Sequence, residues 1–209
     1  MPIMVKDDKN FLFIHIPKCG GSTFEKSMES RGWHELLSIR GVHANNMKFM
    51  KCSTQHFHAE LLEVILNTEF LDEIITIVRD PFSRLKSEYA WQLKQAITNL
   101  PPADWIDHVF EEYTHDPFVY DNHIRPQNEF ILSGTSIYKL EENGIEQAAN
   151  YISPITKKSS LFRAFGKDDI KHIKKTDKPE ELHYAFEKKA SIIEKFYAKD
   201  YEILNYNYR

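Results

Sequence analysis

The spacing of apolar residues changes along the chain, and each change marks an element. Phe11 to Ile16 is a short continuous apolar run rich in β-formers and ended by Pro17, which predicts a buried strand. Lys18-Cys-Gly-Gly-Ser-Thr23 then forms a turn into a helix that carries Phe24 and Met28 four residues apart. Leu36 to Ile39 reads as a short strand. Leu61, Leu62, Ile65 and Leu66 predict a helix from Ala59 to about Phe70, and Ile74 to Val78 is a second buried strand.

Asp80-Pro81 has the chemistry of a helix start, with Asp as N-cap and Pro at the first helical position. Phe82, Leu85, Tyr89, Leu93 and Ala96 continue that helix. Pro101-Pro102 interrupts the chain before another helix marked by Trp105, Val109, Phe110 and Tyr113. Ser136 to Leu140 predicts a strand and Ile145 to Tyr151 a helix. Leu161 to Pro179 is polar and irregular, and Glu180 to Lys199 reads as one long helix. Buried strands alternating with helices predict a three-layer α/β fold with a mainly parallel sheet.

Composition narrows the function. A chain of 209 residues, 42% hydrophobic and 13% aromatic, suits a single domain (1–209) with a sizeable core, neither disordered nor dependent on disulfides. Cys19 and Cys52 are too few for a disulfide framework or a cysteine-rich zinc site and read as reduced thiols. A net charge of −4 and a pI near 6.2 argue against nucleic acid as partner. The apolar runs are far shorter than the roughly 20 residues that span a bilayer. The first ten residues lack the apolar stretch of a secretory signal. The expectation is a soluble, cytoplasmic protein with no integral membrane segment.

Two segments carry chemistry. A strand running through a Gly-containing turn into a helix aims several backbone N–H groups at one point, where the helix dipole favours an anion. Gly20 and Gly21 permit close approach, and Lys18, Ser22 and Thr23 add side-chain donors. A Walker A loop needs Lys directly before the Ser/Thr that holds magnesium, whereas Lys18 precedes both glycines. A magnesium-dependent ATPase is therefore disfavoured. In Ile74-Ile-Thr-Ile-Val-Arg-Asp-Pro-Phe-Ser-Arg-Leu-Lys-Ser-Glu-Tyr89, Arg79 leaves the C-terminal end of a strand, where open α/β sheets bind ligands. Ser87 lies in the following helix, on another face from Phe82, Leu85 and Tyr89. Together they offer a forked donor and a hydroxyl to a phosphate; the competing reading pairs Arg79 with a carboxylate such as Asp80.

I-P-K-x-G-G-S-T followed by V-R-D-P-x-x-R-x-x-S resembles the sulfotransferase superfamily that uses 3′-phosphoadenosine-5′-phosphosulfate (PAPS). Within it the chain is most similar to the carbohydrate branch (Golgi-type, heparan-sulfate 2-O-like) and its bacterial relatives. Arg125-Pro-Gln-Asn-Glu-Phe-Ile131, Tyr138-Lys-Leu-Glu141 and Tyr197-Ala-Lys-Asp-Tyr-Glu-Ile203 extend the likeness over most of the chain. The resemblance implies a P-loop-like fold and a 5′-phosphosulfate loop of Lys18, Cys19, Gly20, Gly21, Ser22 and Thr23. It assigns the 3′-phosphate to Arg79 and Ser87, and sets Lys171 to Asp177 where relatives carry a basic loop over the nucleotide. Thr54-Gln-His56-Phe-His58 is similar to the His-x-His segment of the 2-O-type enzymes, which makes His56 the first candidate base and His58 the second. Either histidine also has another reading, as a metal ligand or, for His58, a helix cap; no third ligand sits at a zinc spacing, so no metal is expected.

Direct sulfuryl transfer needs no covalent enzyme intermediate, so Cys19 is expected to pack structurally. His123, Arg125 and Gln127 fall near a plausible acceptor cleft, and Trp91 and Trp105 are aromatic surfaces for a sugar face. The acidic chain suits a neutral or lightly charged saccharide or glycolipid hydroxyl. The rival classes are a P-loop nucleoside or small-molecule kinase and a catalytically silent nucleotide-binding module.

Overall fold

The computed structural model describes residues 3–37, 46, 48–153 and 180–209. Five strands, β1 (Ile3–Lys6), β2 (Lys9–Ile14), β3 (His34–Leu36), β4 (Glu73–Val78) and β5 (Ser136–Lys139), form one sheet in the order β3-β1-β2-β4-β5. β2, β4 and β5 run parallel, with Ile14 opposite Thr76 and Val78 opposite Lys139. β1 is antiparallel to both of its neighbours. Four of the five strands, β3, β2, β4 and β5, therefore point the same way, and β1 alone opposes them, so the sheet is mainly parallel in direction with one antiparallel strand inserted.

The apolar pattern does not announce β1. It pairs with β2 through a two-residue connection, Asp7-Asp8, in which Asp7 takes a φ of 53°. A short loop of residues that tolerate positive φ suits a tight hairpin. The strand expected over Leu36 to Ile39 lies earlier, over His34–Leu36, and residues 38–39 fall outside the described set, as do those of the polar stretch from Leu161 and its Lys171 to Asp177 segment.

Helices cover both faces of the sheet. On one face Phe11 and Phe13 pack with Phe24 and Met28 of α1 (Gly21–Ser30) and Ala148, Ala149 and Ile152 of α5 (Gly144–Ile152). On the other, Leu12 and Ile14 meet Leu62 of α2 (Ala59–Ile65), Phe130 and Leu204. The alternation of β2 side chains between two apolar layers explains why its run is continuously hydrophobic. α2 ends at Ile65, before a separate 3-10 turn over Thr68–Phe70.

A third core is wholly helical. Phe82, Leu85 and Tyr89 of α3 (Pro81–Lys94) interlock with Trp105, Ile106, Val109 and Phe110 of α4 (Pro102–His115). Phe186, Ile193, Tyr197 and Tyr201 complete it from α6 (Glu180–Glu187), α7 (Ala190–Phe196) and α8 (Ala198–Ile203) and the residue between the last two. The single long C-terminal helix expected is therefore three short ones, turning at Lys188-Lys189 and at Tyr197 so that successive aromatics reach the same core. Trp105 is fully buried there and donates Nε1–H to Gln92 Oε1 at 2.9 Å, which removes it as a sugar platform. No described helix is long and apolar enough to cross a membrane.

Candidate active site

β2 and β4 are adjacent and parallel, so their C-terminal ends deliver Lys18–Thr23 and Arg79 to the same edge of the sheet. They open on a cleft of about 540 Å³ whose lining includes Lys18, Gly20, Gly21, Ser22, Thr23, Arg79 and Ser87. Lys18 (φ 67°) and Gly20 (φ 88°) both take left-handed conformations, which coil the loop before α1 begins at Gly21. The first turn of a helix has N–H groups without intrahelical partners, and here that turn borders the cleft.

The two segments are tied together behind the cleft. The Arg79 guanidinium donates to Lys18 O at 3.3 Å, while Asp80 caps α3 by accepting from Ser83 N–H at 2.9 Å and meets Arg209 at 3.3 Å. Arg79 is thus not spent on Asp80. Arg84, 1% exposed, donates to the carbonyls of Pro17, His123 and Arg125 at 2.9–3.0 Å. The buried guanidinium stitches the loop after β2 to the segment that carries His123.

The cleft also holds three histidines, and each has Nδ1 paired with a carboxylate. His56 pairs with Asp121 at 2.8 Å, His123 with the buried Glu88 at 2.7 Å, and His15 with the buried Glu25. The rings stand in a row: centroids are 5.3 Å apart for His15 and His56, and 4.9 Å for His56 and His123. Burial lowers His56 to about 4, more than its bond to Asp121 raises it. Burial opposes ionisation of Asp121, but the hydrogen bond from His56, the neighbouring imidazoles and the Ser53 N–H outweigh it and hold the carboxyl near 2. An ionised Asp121 requires the proton on Nδ1 of His56, leaving the Nε2 lone pair available. Donor atoms of His56, Asp121 and His123 also lie within 4.8 Å of one another, close enough to be drawn onto a metal ion.

Besides Trp105, four of the residues singled out from the sequence lie outside this cleft. His58 is buried at the start of α2, its ring 5.5 Å from Phe118 and its pKa lowered by burial and by Arg125. Cys19 is 1% exposed, and burial pushes its thiol up to about 12, the opposite of an activated nucleophile. Gln127 accepts from Arg79 N–H at 2.9 Å and from the Cys19 thiol at 3.2 Å, and donates to Arg79 O at 2.7 Å. Arg125 donates to Asn122, Glu129 and Pro117 O. Both are internal braces in this structure. Trp91 does face the cleft, with Lys18 Nζ 5.1 Å from its ring centre and the His123 ring centred 5.1 Å away. His15, Gln55, Lys26 and Asp121 join the site without having been singled out by sequence. His15 alone had a local signal, an imidazole inside an apolar run three residues before Lys18.

A glycine-containing loop at a helix start, an arginine at the end of the neighbouring strand and an imidazole–carboxylate pair thus line one cleft. Residues 1–207 match the family described as Sulfotransferase family, and the chain belongs to it. No curated protein and no solved structure matches the chain significantly.

Proposed function

We propose that this protein moves the sulfuryl group of PAPS onto a hydroxyl of a saccharide or glycolipid. The observation that carries the reading is the convergence of Lys18–Thr23, Arg79, Ser87 and the Asp121-bound His56 on one cleft. The segment Phe11–Phe24 then works as a P-loop-like cradle for the 5′-phosphosulfate, and Arg79 with Ser87 holds the 3′-phosphate. The acceptor oxygen attacks sulfur, the new S–O bond forms in line as the bridging S–O bond breaks, and adenosine 3′,5′-bisphosphate leaves with the bridging oxygen. The acceptor proton passes to Nε2 of His56, and Lys18 offsets the negative charge growing on the leaving phosphate. The burial of His58 outside the cleft lining favours His56 over it as the base. Trp91, half-buried in the cleft wall, offers aromatic surface beside which a sugar ring packs. Incubation with sulfur-labelled PAPS across a panel of neutral and acidic saccharides and glycolipids tests the proposal; label transferred to none of them, at any pH, would remove it.

A further inference from the structure

His15 has no part in the proton transfer just described, yet it is tightly built in. Its imidazole is 6% exposed and its partner Glu25, on α1, is fully buried. Gln55 brings its Nε2 within 2.9 Å of His15 Nδ1 and 3.4 Å of both Glu25 oxygens, and Gln55 directly precedes His56 in the 3-10 turn Thr54–His56.

The other side of the ring meets the donor loop. A Cβ on Gly21 would lie 2.6 Å from Nε2 and 2.7 Å from both Cδ2 and Cε1 of His15. Near-equal distances to three ring atoms put that point over the face of the imidazole, so the loop backbone rests flat against it. The glycine at 21 is thus demanded by the ring. Its φ lies outside the left-handed region, and position 21 opens α1, where Ala is otherwise the better helix former.

We infer that His15 is a positioning residue: held by Glu25, it sets the height of the phosphosulfate loop at Gly21 and couples that loop, through Gln55, to the turn bearing His56. This rests on reading Lys18–Thr23 as the donor site.

The test is a cycle of four proteins: wild type, Gly21→Ala, His15→Asn and the double variant. Asn keeps an N–H for Glu25 while removing the ring atoms that block position 21. Gly21→Ala alone should weaken adenosine 3′,5′-bisphosphate binding, measured by calorimetry, by about tenfold or more, and should lower the melting temperature. In the His15→Asn background the same change should alter affinity by less than about threefold and leave melting unchanged or higher, a coupling of the size seen between touching residues. Equal losses from Gly21→Ala in both backgrounds, or none in wild type, would overturn the inference. If wild type fails to bind the bisphosphate, the donor assignment falls, and the melting temperatures of the same four proteins still decide whether His15 dictates glycine at 21. Should His15→Asn not fold, His15→Ala with Glu25→Gln replaces it, since that pair leaves no buried charge unpartnered.

Discussion

Nδ1 of His56 and Oδ2 of Asp121 lie 2.8 Å apart although 65 residues separate them in the chain. The pairing fixes both the tautomer and the ring orientation of the only His-x-His member that reaches the cleft. His56→Ala should cut turnover by about 10²–10⁴ with little change in nucleotide affinity, as for loss of a general base. Asp121→Asn should cost a comparable factor, because an amide no longer compels the proton onto Nδ1. His58→Ala should spare kcat and lower thermal stability. Steady-state kinetics on the three variants check this, and a larger kcat loss at His58 than at His56 would reverse the assignment.

The pH dependence carries a sign. His56 is lowered from 6.5 to about 4, so the free enzyme keeps its base unprotonated well below neutrality. kcat/KM should stay flat from neutral pH to about 5 and fall below that. Stability should move in the same direction. The unfolded imidazole takes up a proton near 6.5 and the folded one near 4, so stability present above 6.5 is lost as pH falls through that window. An acid limb centred at 6.5, or melting temperatures indifferent to pH between 4 and 6.5, would contradict the burial of His56.

Two side chains report on the donor. Lys18→Ala should lower turnover by about 10²–10³ while the fold persists; turnover within threefold of wild type would remove Lys18 from the chemistry. Adenosine 3′,5′-bisphosphate at 100 times its dissociation constant should raise melting by roughly 5–10 °C, and AMP by much less at equal concentration. Arg79→Ala should erase that difference. Equal shifts from the two nucleotides in wild type would mean that Arg79 and Ser87 do not read a 3′-phosphate, and a larger shift from magnesium-ATP would favour a kinase.

Removing divalent metal separates two uses of one cluster. EDTA should leave the transfer rate unchanged, because the proposed step draws only on side chains. Activity lost to EDTA and restored by a divalent ion would recast His56, Asp121 and His123 as metal ligands, for which their spacing is close enough.

Much of this architecture is written locally. The β2 and β4 runs, the Asp80-Pro81 helix start and the residues Lys18, Arg79, Ser87 and His56 all declare themselves within a few positions. What escapes is of longer range. β1 is a four-residue strand whose apolar face is meaningful only once β2 lies beside it. The turns at Lys188-Lys189 and Tyr197 break a helix-compatible stretch because packing of Phe186, Ile193 and Tyr201 outweighs propensity there. The carboxylates that orient the three imidazoles come from 10, 65 and 35 residues away, and no spacing rule links them to their partners. Arg125 and Gln127 have the chemistry of ligand contacts, and only the fold shows that their polar groups are buried and bonded within the protein.

Gln127 touches both the backbone of Arg79 and the thiol of Cys19 with a single amide group. Under the proposed donor assignment, the gap between the two anion seats is set by an amide that lies outside the cleft lining. A cleft of this kind would then work as a fixed gauge, sorting nucleotides by the separation of their phosphates as much as by how many they carry. Selectivity for one bisphosphate over its positional isomers would then be a mechanical property of the sheet edge, adjustable from inside the protein without altering any group that faces the donor.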